Sequence, residues 1–245
     1  MTVVPLAKRN IVALGGGGFL GEITTLLDDY LLRLTGKSRP RVCFIPTASA
    51  DSEGSLLRFY RAFHADRCRA TDLTLFNRTV DNIREFLFEQ DMIYVGGGNT
   101  ASMLAVWRAH RVDDILRDAW AAGVVVGGVS AGAICWFEGG VTDSFGPRLA
   151  ALRAGLGILP GTFCPHYNSE INRRSTYHRI ITEGLAGGYA ADDGVGLHFV
   201  GTDLSAIVSS RPGAKAYRVE LQNGSVVESP LEPTFLGGAI TKRLP

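Results

Sequence analysis

The chain has 245 residues, 46% of them hydrophobic and 20% charged, a composition that supports a sizeable buried core. Its formal net charge is +1 and no basic stripe runs along it, which excludes the electrostatic footprint of a nucleic-acid binder. No apolar run approaches the ~20 residues of a membrane span, and the charged, proline-bearing residues 1–10 do not read as a signal peptide.

In chain order, residues 10–14 read as a first buried strand, followed by Gly15-Gly16-Gly17-Gly18. That run lacks both the G-x-G-x-x-G spacing and a Walker lysine, so it reads as a tight turn allowing close backbone approach rather than a phosphate cradle. Residues 22–34 carry apolar side chains at helical spacing, and 41–45 form a strand stopped by Pro46. A polar loop from Thr47, a helix over 53–65 and a strand over 70–76 follow, then a short helix over 80–88. The strand at 91–95 ends in Gly96-Gly97-Gly98-Asn99-Thr100, and two helical stretches lead to the β-branched run before Ser130. Strands alternating with helices at this spacing predict a doubly wound, mostly parallel α/β sheet, with any site outside the carboxyl ends of its strands. The Gly15, Thr47, Gly96 and Ser130 loops should therefore share one rim.

Beyond Gly139-Gly140 the pattern loosens. Residues 141–156 read as a covering loop with a short helix, and 175–185 as a helix. Residues 189–200 read as strand, turn and strand, and alternation from about 205 to 230 predicts an antiparallel extension. No linker or repeat divides the chain, so residues 1–245 are expected to form a single domain.

Gly128-Val129-Ser130-Ala131-Gly132 is a G-x-S-x-G turn between a buried strand and a candidate helix. Such a turn holds a serine hydroxyl clear of the sheet and leaves the Ala131 N–H free to face a developing oxyanion. A hydroxyl nucleophile needs a base, and the base an orienting acid. His64, His110 and His178 lie on helices beside Arg or Asp and read as solvated, while His198, inside an apolar strand, reads as a core residue. His166 sits in a loop after Pro165, beside Tyr167 and Asn168. Two orders are open: Ser130, His166, Asp193, or Ser130, Asp192 or Asp193, then His198, the second placing acid and base on one hairpin. Asp192-Asp193-Gly194 also reads simply as a turn. Cys135 falls about a turn and a half beyond Ser130 in an apolar helix and reads as core. The four cysteines, Cys43, Cys68, Cys135 and Cys164, are scattered without a C-x-x-C pair, which predicts neither disulfides nor a zinc cage and suits a reducing cytoplasm.

Val95-Gly96-Gly97-Gly98-Asn99-Thr100, Gly128-Val129-Ser130-Ala131-Gly132-Ala133, Pro165-His166-Tyr167 and Asp192-Asp193-Gly194 together resemble the peptidase E family of serine peptidases, which includes aspartyl dipeptidases and cyanophycinases. The resemblance runs from about Ile11 to Val208 and implies a flavodoxin-like fold related to class I glutamine amidotransferases. It implies Ser130 as nucleophile, His166 as general base and Asp193 in place of the usual glutamate, with Asp192 as the other candidate acid. Oxyanion donors would be the N–H groups of Gly98 (or Gly97) and Ala131, with Asn99 bracing the glycine loop or touching substrate. In aspartyl dipeptidases an arginine in the helix after the histidine binds the substrate carboxylate; Thr176 stands at that place here, with Arg173 and Arg174 nearby but out of register. The expectation is a cytoplasmic serine peptidase acting on short peptides, needing no metal or cofactor, with the tail after Ser205 a candidate homodimer edge. Competing readings are a cyanophycinase-like or other serine hydrolase or esterase, and a non-catalytic binding homologue.

Overall fold

The computed structural model describes residues 4–238. The first half alternates as β1 (Asn10–Leu14), α1 (Leu26–Leu34), β2 (Arg41–Ile45), α2 (Glu53–Ala62), β3 (Arg69–Asp72), α3 (Ile83–Phe88), β4 (Met92–Val95), α4 (Thr100–His110), α5 (Val112–Ala121) and β5 (Val125–Val129). The short α6 (Ala131–Ile134) leads to β6 (Phe137–Thr142), β7 (Ala150–Leu152), β8 (Leu159–Cys164), α7 (Arg173–Thr182) and β9 (Gly188–Ala191). The chain continues through β10 (Val195–Val200), β11 (Asp203–Ser209), β12 (Ala216–Gln222), β13 (Ser225–Leu231) and β14 (Thr234–Phe235).

β1, β5, β4, β2 and β3 lie side by side in that order, all parallel. β10 pairs antiparallel on the outer edge of β1, and β11 and β14 extend the sheet beyond it. Successive residues of one strand enter opposite cores. Ile11 and Ala13 join Ile93, Val95 and Val126 on one face, while Val12 and Leu14 join Met92, Tyr94 and Val125 on the other. Burial on both faces explains why these strands read as unbroken apolar runs. The doubly wound α/β class inferred from the sequence is the class observed.

A second sheet has the order β13-β12-β9-β8-β6-β7, with parallel pairing at β6–β8 and β8–β9. Phe137 and Phe163 stack with ring centroids 5.2 Å apart, and Phe137 meets Phe199 of the first sheet edge-on at 5.7 Å. α7 covers the second sheet through Tyr177, Ile180 and Ile181, packed on Val141, Cys164 and Val219.

Three local expectations are corrected. Residues 141–156 hold no helix: Val141 pairs with Ala151 and Gly140 with Leu152 in the β6–β7 ladder. Gly139 and Gly140, beyond which the sequence pattern loosens, lie inside β6, where an added Cβ would stand 2.2 Å from the Leu152 carbonyl and 2.3 Å from that of Phe163, respectively. Close backbone approach, not a turn, demands glycine there. α1 begins at Leu26 rather than at 22, because the Glu22 carboxylate turns inward to Ser210 and to Arg211 Nε at 2.7 Å. The antiparallel tail is divided between the sheets, with β10 and β11 on the first and β12 and β13 on the second. Alternation along a strand reports which residues are buried and carries no record of which sheet buries them.

Candidate active site

The Gly15, Thr47, Gly96 and Ser130 loops do share a rim. A cleft of about 480 Å³ at the carboxyl ends of β1, β2, β4 and β5 is lined by Gly17, Ser49, Gly97, Gly98, Ser130 and His166, among others.

Ser130 adopts φ 55° and ψ −113°, a positive φ that costs a residue with a Cβ on the order of 1–3 kcal/mol. The neighbouring glycines make that turn possible. A Cβ on Gly128 would stand 2.4 Å from the Gly132 carbonyl oxygen, and one on Gly132 would stand 2.3 Å from that of Val95. The Ser130 N–H donates to Leu14 O at 3.1 Å, tying the elbow to the end of β1. Among the described residues nothing accepts the N–H groups of Gly97, Gly98 or Ala131, whereas Gly96 and Asn99 on either side donate to Ile45 O and Ala48 O. Gly97 lies against the serine: a Cβ there would be 3.3 Å from Ser130 Cβ. Gly98 has φ +136°, and a Cβ would meet Ala48 O at 2.1 Å.

His166, just beyond β8, also has a positive φ of 54°, and its N–H donates to Gly15 O at 2.9 Å. Its Nδ1 lies 2.7 Å from Asp193 Oδ1, so the ring donates to the carboxylate and keeps Nε2 free. That hydrogen bond holds the Asp193 carboxyl below its usual range. Asp193 is oriented in turn by its own N–H, which donates to Asn168 Oδ1 at 3.1 Å. Asp192 faces away, its Oδ2 accepting the Lys215 N–H at 2.9 Å, and burial raises its carboxyl. The pair sits on the glycine run after β1. A Cβ on Gly16 would stand 2.0 Å from Asp193 Oδ1 and 2.9 Å from His166 Nδ1, while Gly194 N donates to Gly16 O at 2.9 Å. The run is a seat for this pair, in keeping with the expected close backbone approach.

Other residues singled out in the sequence lie elsewhere. His198 bonds Tyr30 Oη at 2.8 Å and Asn10 Oδ1 at 2.9 Å, and pairs with Val12 in the β1–β10 ladder, whose opposite end carries the site. The Asn99 amide caps α4 by accepting from Ser102 N at 2.8 Å and donates to Ser144 O at 3.1 Å, so it braces the glycine loop. Cys135 is fully buried, and burial pushes its thiol well above the usual range. Thr176 lines a separate groove with Leu149, Ile171 and Arg179. Arg173 is buried against Glu170 and Val141 O, and the Arg174 fork holds Glu228. Ser52, Ser55 and Arg58 of the cleft wall were not singled out in the sequence. Their spacing of three along a helix was the available signal, but it is the spacing of any polar helix face.

Among the described residues, no cluster of His, Cys, Asp and Glu forms a metal-binding group, and no helix is long and apolar enough to cross a membrane.

A serine on a strained elbow, with free backbone donors and an acid-oriented imidazole on one rim, defines the chain as a serine-type peptidase when joined to its relatives. The sequence profile described as "Peptidase family S51" matches residues 11–207, and the chain belongs to that family. It is 51% identical over 231 residues to "Uncharacterized peptidase YgaJ" of Bacillus subtilis (strain 168), covering 94% of this chain and all of that protein. It is 28% identical over 181 residues to "Uncharacterized peptidase Lmo0363" of Listeria monocytogenes, spanning 66% of this chain and 80% of that one. The fold is shared with a crystal structure of a peptidase from an acI-B1 Actinobacterium (TM-score 0.67, 19% identity, 91% and 94% of the two chains). A putative peptidase E protein from Listeria monocytogenes EGD-e also has this fold (TM-score 0.57, 18% identity, 91% and 99%).

Proposed function

We propose that this peptidase hydrolyses short peptides through a Ser130–His166–Asp193 triad and an acyl-enzyme. The observation that carries the proposal is the 2.7 Å His166–Asp193 contact, whose imidazole lines the same cleft as Ser130. Ser130 Oγ attacks the scissile carbonyl carbon as His166 Nε2 takes its proton. Asp193 holds the ring in the Nδ1–H tautomer and stabilises the imidazolium. The N–H groups of Ala131 and of Gly98 or Gly97 receive the oxyanion, because they have no acceptor of their own and need no reorganisation. His166 Nε2 then protonates the leaving amine as the C–N bond breaks. A water that gives its proton to His166 cleaves the ester, and Ser130 recovers its hydrogen. Among the described residues the Ser130 hydroxyl makes no hydrogen bond, and such contacts commonly tighten only with substrate bound.

The 245 residues act, on this reading, as one peptidase domain. Its four cysteines are free and buried, which accords with action in the cytoplasm. Thr176 lies off the Ser130 cleft, so its side chain offers no anchor for an N-terminal aspartate. The test is hydrolysis of a dipeptide library, with and without N-terminal Asp, together with fluorophosphonate labelling. Labelling at Ser130 that is lost in Ser130→Ala supports the assignment, and undiminished hydrolysis by that variant removes it.

A further inference from the structure

One wall of the cleft comes from a helix outside the proposed triad. Ser52 immediately precedes α2, and Ser55 and Arg58 follow it at intervals of three residues, so all three stand on one side of the helix and line the cleft that holds Ser130. The helix is fixed in that orientation from behind. Phe59 is fully buried and stacks on Phe44 and Phe63, with ring centroids 4.9 Å apart in each pair.

Ser55 is 6% exposed, yet its hydroxyl has no hydrogen-bond partner among the described residues. Arg58 is exposed, and no carboxylate or carbonyl of the described protein receives its guanidinium. That distinguishes it from Arg173, Arg174 and Arg211, whose side chains are held by Glu170, Glu228 and Glu22. The described residues lining the cleft include no acid, and Arg58 is the sole full cation among them. An unengaged guanidinium presents five donors in a planar fork, and the group on a peptide that matches such a fork is a carboxylate.

We propose that Arg58, flanked by Ser52 and Ser55, binds a carboxylate of the peptide substrate. The inference rests on the assignment of Ser130 as nucleophile. The carboxylate is either the free C-terminus or an acidic side chain, and the two sources separate by experiment. The contact is made in ground state and transition state alike, so its loss raises KM and leaves kcat nearly unchanged.

The probes are Asp-Leu, Asn-Leu, Asp-Leu amide and Asn-Leu amide, with binding to the Ser130→Ala protein read by calorimetry and hydrolysis by the Ser130 protein read as kcat and KM. In the Arg58 protein, removing the recognised carboxylate weakens binding about 10–100-fold, and whichever single substitution does so names its source. Arg58→Gln abolishes that discrimination and raises KM by the same factor for the carboxylate-bearing dipeptide alone. Arg58→Lys, which keeps the charge without the fork, falls between. Equal losses for Asp-Leu and Asn-Leu amide, or no loss for Asp-Leu, would overturn the inference. A protein inert to fluorophosphonate would count against Ser130 as nucleophile, while calorimetry on Ser130→Ala still decides the role of Arg58.

Discussion

The two sides of the cleft are built in different ways. The serine side is local: the end of β5, the turn that follows it and one glycine loop after the neighbouring β4 supply Ser130 and the N–H groups of Gly97, Gly98 and Ala131, which nothing among the described residues accepts. The histidine side is assembled at a distance. His166 leaves the second sheet after β8, Asp193 lies where the chain passes from β9 in one sheet to β10 in the other, and both rest on Gly15 and Gly16 at the end of β1. On the proposed assignment, such a site gives its nucleophile a preset backbone and leaves its acid–base pair dependent on how the two sheets meet.

The comparison breaks first at the serine. Ser130→Ala should lower kcat about 10⁵–10⁶-fold with little change in thermal melting, and adding Asp193→Asn to it should cost almost nothing more. Near-additive losses would mean that the two sides do not act as one unit. Asp193→Asn alone should lower kcat by roughly 10⁴-fold, since an amide cannot hold the Nδ1–H tautomer. Asp192→Asn should cost less than tenfold because that carboxylate faces Lys215. A reversed order for the two aspartates would move the acid to residue 192.

Gly16→Ala sharpens the comparison without altering any titrating group. The added methyl would displace the His166–Asp193 pair while leaving the elbow intact, so kcat should fall about 100-fold or more as fluorophosphonate labelling slows in parallel. Retention of full activity in a folded Gly16→Ala protein would show that the pair tolerates displacement.

The smallest effect on catalysis comes from beneath the serine side. Asp28 is fully buried, and that burial raises its pKa from 3.8 to about 7. Between those values the unfolded chain has released the proton that the folded protein still holds, so stability falls as pH rises through that window. Asp28→Asn should therefore stabilise the protein by on the order of 1–3 kcal/mol at pH 8 and little at pH 4, read from thermal melts at both pH values. Equal shifts at the two pH values would show that ionisation of Asp28 is not the cause.

The Ser130 turn and the glycine loop beside it were legible in the sequence because the constraints are short-range. A β-branched run, a G-x-S-x-G turn and glycines at strand ends each follow from contacts between residues a few positions apart or at adjacent strand ends. The order Ser130, His166, Asp193 was one of two that the residues left open. The resemblance carried by four spaced motifs favoured that order, and Asp193 differs from Asp192 in that one carboxylate meets the ring and the other meets the Lys215 N–H.

What the amino-acid order determined alone was the set of buried strands, the elbow and the places where only glycine fits a turn. Tertiary structure decided the rest. It made Gly139 and Gly140 part of a strand, sent β9 and β10 into different sheets and placed the seat for Asp193 at Gly16, some 177 positions earlier in the chain. It also turned Arg58 from one more polar residue on an amphipathic helix into a cation lining the cleft that holds Ser130. Periodicity encodes whether a side chain is buried, whereas the partner it meets is set by the packing of whole sheets, which no local pattern records.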